Sequence, residues 1–156
     1  MGAFDRRPIR RTRNADRFKL DLNGDERAVL ATIAPQLREA LADPDLPGLR
    51  RLFPPAFEGD DDRGRQEEYV RLMRDDLVER HAGALEVLER TAAASELTGE
   101  ELEAWARALN HLRLALGTRL DVAEADDPAE HDDPEHHLYW YLGYLQEAAV
   151  EALVGD

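Results

Sequence analysis

Cysteine is absent from this 156-residue chain. Without it there is no disulfide, no thiol nucleophile and no Cys-ligated zinc or iron–sulfur site. Lysine is almost absent too: of 20 basic residues, 19 are Arg and Lys19 is the exception. No run of about 18 apolar residues occurs, and the basic N-terminus lacks an apolar signal segment. A soluble, cytoplasmic protein with no membrane partner is therefore expected. Catalytic signatures are missing as well. There is no G-x-S-x-G, no Walker loop, no G-x-G-x-x-G and no H-E-x-x-H. Gly59 and Gly64 lack the lysine and the strand context of a phosphate loop. Catalysis thus has little positive support, no cofactor is expected, and the chain reads as a non-enzyme.

What is present is a core's worth of apolar residues under a strongly acidic surface. Hydrophobic residues make up 43% of the chain, too many for full disorder. The length fits one domain. Ala and Leu, both strong helix formers, occur 23 times each. Acids outnumber bases 34 to 20, giving a net charge of −14. The charge is uneven: residues 1–19 carry +5 and residues 20–156 carry −19. An acidic body repels nucleic-acid phosphate at long range, so any DNA contact falls to the basic arm. That arm offers Arg6, Arg7, Arg10, Arg11 and Arg13. The body better suits a basic protein partner.

The pattern along the chain is helical. Phe18, Leu20 and Leu22 alternate with polar residues, which fits a strand. With a turn at Asn14–Asp16, a hairpin over Ile9–Leu22 competes with a disordered arm. Residues 1–17 are assigned to this basic arm or hairpin strand, and residues 18–156 to a helical domain. Asn23 and Glu26 form a capping box that starts a helix carrying Leu30, Ile33, Leu37 and Leu41 on one face. Pro35 predicts a kink or break near Ala34. Pro47 to Phe53 reads as a short helix, and Glu58 to Arg65 as a polar loop. A helix from about Gln66 to Ala94 carries Val70, Met73, Leu77, Ala84 and Leu88, widened by Tyr69, Leu72 and Leu85. His81 falls on that stripe, where a partly buried, hydrogen-bonded histidine is expected rather than a ligand.

Thr98 and Glu101 make a second capping box. The helix behind it packs Leu102, Trp105, Leu109, Leu112, Leu116 and Leu120. Asp121 to Glu135 holds eight acids and no Lys or Arg, which reads as a solvated loop. Asp133-Pro134 then starts a final helix, with Gly155 as its C-cap. The expected fold is mainly α: a single-domain bundle of four to five helices, with or without a short N-terminal β-hairpin.

Three constellations could carry chemistry or recognition. His131, His136 and His137, interleaved with acids, are the candidate metal ligands, although no ligand spacing of a known mechanism is met. Asn110, Arg113 and Gly117 share one stripe of a helix, with Arg119 beyond them. Gly117 costs about 1 kcal/mol against Ala in a helix interior, so it calls for the close approach of a second helix. Gly143 is the candidate counterpart, and Arg113 is expected to meet a carboxylate from a neighbouring helix. Tyr139, Trp140, Tyr141 and Tyr144 cannot all point one way, since successive helix residues diverge by about 100°. Tyr139, Trp140 or Tyr144 should therefore be partly exposed or meet a partner or a second subunit.

The stretch Trp105–Leu120, WARALNHLRLALGTRL, and the final Tyr139–Leu153, YWYLGYLQEAAVEAL, resemble the actinobacterial DUF2017 family. Arg51–Phe57 and Arg74–Leu77 support the resemblance, which runs from about Phe18 to Leu153. It implies a family of no generally established function, some members of which are described as oxidative-stress transcription regulators. It brings no catalytic residues. It suggests a sigma factor, RNA polymerase or a Clp-system component as protein partner. A thiol redox switch is excluded here, because this chain has no cysteine. The expected function is a regulatory protein that works by protein–protein interaction. DNA binding through the arm, metal binding through the histidines and homodimerisation through the aromatic helix are the alternatives.

Overall fold

The computed structural model describes residues 7–14, 16–43, 46–53, 63–120 and 133–155. Two short strands, β1 (Ile9–Arg11) and β2 (Arg17–Leu20), form the N-terminal hairpin. Ile9 pairs with Leu20 and Arg11 with Phe18. The alternation at Phe18, Leu20 and Leu22 places all three in the core. Helix α1 (Gly24–Ala40) follows, then a 3-10 helix (Pro47–Leu52) and α2 (Arg63–Thr91). Strand β3 (Glu96–Thr98) joins α2 to α3 (Gly99–Arg119), and α4 (Pro134–Val154) completes the bundle. Strand β3 pairs antiparallel with β2, giving the order β1-β2-β3. It escaped the sequence reading because its last residue, Thr98, is also the N-cap of α3.

The caps form as the sequence predicts. Asn23 Oδ1 accepts from the Glu26 backbone N–H at 2.8 Å, and Glu26 Oε1 accepts from the Asn23 N–H at 3.0 Å. Thr98 and Glu101 make the same reciprocal pair. Asp133 caps α4, Pro134 opens it, and Gly155 closes it at φ 92°. The Glu26 carboxylate has a second use. Its Oε2 accepts from the Tyr141 hydroxyl at 2.6 Å, which ties the start of α1 to α4.

Three expectations are corrected. Pro35 does not break α1, which runs unbroken from Gly24 to Ala40. The missing N–H frees the Ala31 carbonyl, and Ala31 is exposed, so water can satisfy it. Buried Leu30 and Ala34 before the proline and Leu37 after it hold the helix to the core. Helix α2 begins at Arg63, inside the segment read as loop. Among the described side chains of the α2 apolar stripe, Ala84, Leu85 and Leu88 in the second half are buried, while Tyr69, Leu72 and Met73 are exposed.

The core gathers side chains from the sheet and all four helices, with Trp105 fully buried at its centre. Trp105 Nε1 donates to Thr91 Oγ1 at 2.7 Å, and that hydroxyl donates to the Val87 carbonyl at 2.6 Å. The indole's one polar atom is thereby satisfied, as a buried Trp requires.

Candidate functional site

Helices α3 and α4 pack through the polar stripe. Arg113 Nη2 donates to Asn110 Oδ1 at 3.0 Å, and Arg113 Nε donates to Gln146 Oε1 on α4 at 3.1 Å. The expected carboxylate partner is thus an amide, which holds the guanidinium in a fixed direction without neutralising it. The glycines are explained, but not as a facing pair. A Cβ on Gly117 would come within 2.7 Å of the Tyr139 ring, and one on Gly143 within 3.3 Å of Arg113 Cδ. Each glycine makes room for a large side chain from the other helix rather than for the other glycine.

This packing leaves a surface groove of about 620 Å³. Arg113, Tyr139, Trp140 and Tyr144 line it, with Gly143 and Gln146 between them and Glu147 and Val150 at the edge. Tyr139, Trp140 and Tyr144 are all half-buried, and Tyr139 meets Trp140 edge-on at 5.4 Å. Four of the six predicted interface residues are therefore brought to one place. Asn110 stands behind them as a support for Arg113. Arg119 lies apart: it pairs with Glu135 at 2.9 Å at an exposed position and borders a separate apolar cleft between α1, α3 and α4.

The histidines are placed differently. His136 Nδ1 lies 2.6 Å from Asp133 Oδ1, and its ring stacks on Trp140 with centroids 5.8 Å apart. Desolvation raises the Asp133 pKa, but hydrogen bonds from the His136 backbone and ring outweigh it and hold the carboxyl below its usual range. His136 thus completes the α4 cap. His137 is exposed, and His131 lies outside the described residues. Among the described residues, no three His, Asp or Glu side chains converge on a metal-sized point.

In the basic arm, Arg6 lies outside the described residues, while Arg7, Arg10, Arg11 and Arg13 are exposed. Arg11 is already engaged. Its Nη2 donates to the carbonyls of Ala152 and Leu153, both at 3.2 Å, and its guanidinium stands 5.0 Å from the Phe18 ring centroid. A cation on the last carbonyls of α4 complements the helix dipole.

Two arrangements were not found from the sequence. Arg27 donates to four backbone carbonyls: Leu20, Leu22, Ala92 and Ala94, at 3.3, 3.1, 3.0 and 2.6 Å. It ties β2, the start of α1 and the end of α2 with one side chain. The signal was its position, three residues before Leu30 and seven before Ala34 on the buried stripe. The second is a pair of imidazoles. His81 and His111 stand with ring centroids 4.0 Å apart, and His81 Nε2 lies 3.0 Å from the Leu52 carbonyl. Burial first, then the charges of His81 and Arg107, lower the His111 pKa to about 4.

Residues 1–153 match the family described as Domain of unknown function (DUF2017), and the chain belongs to that family. The match reaches back through the basic arm, beyond the Phe18 start suggested by the sequence resemblance. No curated protein and no solved structure matches the chain. No helix among the described residues is long and apolar enough to cross a membrane.

Proposed function

We propose that this protein is a non-enzymatic cytoplasmic regulator that acts by binding another protein through its α3–α4 face, in stress-linked transcription. The observation that carries the reading is the groove that three half-buried aromatics line together with Arg113, whose guanidinium is aligned by amides. Tyr, Trp and Arg are the residues that most often anchor protein interfaces. They sit on two helices locked by close packing at Gly117 and Gly143, so little ordering is needed on binding. The partner classes that the family resemblance brings are a sigma factor, RNA polymerase or a Clp-system component.

The test is affinity capture of the tagged chain from native lysate, read by mass spectrometry, beside Arg113→Glu and Tyr144→Glu variants checked for folding by circular dichroism. Enrichment of a transcription or Clp component that both variants lose supports the reading. Enrichment unchanged in both variants, or none above the tag alone, overturns it. DNA binding through the arm is the second reading. It rests on Arg7, Arg10 and Arg13, which remain exposed beside the engaged Arg11. It requires an electrophoretic shift that weakens steeply with salt and disappears on deleting residues 1–13.

A further inference from the structure

A cleft of about 910 Å³ lies between α2 and α3, on a different face of α3 from the groove at Arg113. Its size is within the roughly 300–1,000 Å³ of ligand pockets. Ala84, Val87 and Ala104 give its middle an apolar wall. At one end Arg80 and His81 from α2 meet Arg107 and His111 from α3. In a chain of net charge −14, two guanidiniums and two imidazoles gathered at one place stand out.

The local balance favours an anion. Arg80 pairs with Asp76 at 2.6 Å, but Arg107 has no ion-pair partner among the described residues. The acids on the cleft, Glu100 and Glu101, belong to the first turn of α3, and Glu101 is engaged in the capping box. The imidazoles add hydrogen-bonding capacity. The Leu52 carbonyl can only accept, so His81 Nε2 carries its proton toward it. His111 makes no hydrogen bond among the described residues, although it is half-buried. Placing a desolvated, unbonded imidazole beside another imidazole and an arginine works against stability. A divalent cation does not fit this end, because the guanidinium of Arg107 would repel it and, among the described residues, no three His, Asp or Glu side chains gather there.

We propose that this cleft binds a small organic anion: a phosphate or carboxylate held by Arg107 and a ring N–H of His111, with an apolar body along Ala84, Val87 and Ala104. The site is independent of the protein-binding face.

The test is proton NMR of the imidazole C2 signals in the full chain, assigned with a His111→Asn variant. The probes are phenyl phosphate, benzoate and inorganic phosphate. At least one aryl anion should shift the His111 and His81 signals saturably, and the tighter of the two identifies the oxyanion. Inorganic phosphate, lacking the apolar body, should bind about tenfold more weakly or worse. Arg107→Gln, an exposed change whose folding is checked by circular dichroism, should weaken the aryl anion about tenfold. The proposal is overturned if neither aryl anion shifts His111 saturably at millimolar concentration. It is also overturned if inorganic phosphate binds equally well, or if Arg107→Gln binds unchanged.

Discussion

The two halves of α2 share one helix and one apolar periodicity, yet they are held by different means. Toward Thr91 the stripe is closed: Leu85 and Leu88 are fully buried and Thr91 receives the Trp105 indole. Arg38 donates twice to Glu89 from α1, and Arg27 caps the carbonyls just past the helix end. Toward Arg63 the stripe is open, with Tyr69 56%, Leu72 62% and Met73 39% exposed. Length is one reason. Helix α2 has 29 residues and α3 has 21, a difference of eight. At 1.5 Å per residue α2 outruns α3 by about 12 Å, so part of it has no α3 beside it. A repeating apolar pattern therefore reports which side of a helix is apolar, and not whether anything lies opposite.

The largest expected effects fall in the closed half. Leu88→Ala removes a fully buried side chain from among Trp105, Leu85 and their neighbours. It should cost about 3–4 kcal/mol in urea denaturation, through lost transfer energy plus a residual cavity. A loss under about 1 kcal/mol would mean that this half is less tightly packed than described. Next comes Arg27→Met, which keeps the apolar stem but removes the donors to four carbonyls. It should cost about 2–3 kcal/mol, because hydrogen bonds to charged groups are strong and the carbonyls are left partly buried. Arg27→Lys should recover little of this, since an ammonium cannot span carbonyls from β2 and from the end of α2 at once.

The contrast also marks how much was legible in advance. The caps at Asn23, Thr98 and Asp133 were readable because each is a local exchange between a side chain and backbone amides three residues on. The hairpin was readable from the alternation at Phe18, Leu20 and Leu22. The α3–α4 groove was half readable. Adjacent aromatics must diverge around a helix, but their meeting with Arg113 depends on how α4 lies against α3. The Gly117–Gly143 pairing failed for the same reason, since the sequence shows that a glycine needs space and not which residue takes it. Arg27 was visible only as an arginine on the buried stripe of α1, and its partners, like the His81–His111 pair, lay beyond a sequence reading. Their partners are backbone carbonyls or rings from distant segments, and only the tertiary arrangement brings these together.

His111 offers a smaller effect that separates α2 packing from cleft chemistry. Its pKa falls from 6.5 to about 4 in the folded chain, through burial and then the charges of His81 and Arg107. Between these values the unfolded chain binds more protons than the folded one. The stabilisation is therefore complete above about pH 6.5 and is lost as pH falls toward 4. The ring is partly exposed, so the loss should be on the order of 1–2 kcal/mol rather than the full shift. Denaturation of wild type and His111→Asn at pH 7.0 and 4.5 isolates it from the carboxylates, which both chains share. A pH slope identical in the two chains would show that His111 is not desolvated in the folded state.

The smallest expected effect bears on the open half. Leu72→Ser and Met73→Ser remove apolar side chains of the same stripe that holds Leu88. At exposed positions the transfer energy is mostly unrealised, so little beyond helix propensity is lost. Serine is worse than leucine or methionine by a few tenths of a kcal/mol per residue. Each variant should therefore lie within about 0.5 kcal/mol of wild type, several-fold below Leu88→Ala. The open half should also exchange its amide hydrogens well before Leu85–Thr91, since Tyr69, Leu72 and Met73 are exposed and few contacts among the described residues oppose local opening. A loss of 2 kcal/mol or more in Leu72→Ser would place that side chain in a buried contact in solution and erase the difference between the halves. A dilute sample that behaves as expected and a concentrated one that does not would assign that contact to a second copy of the chain.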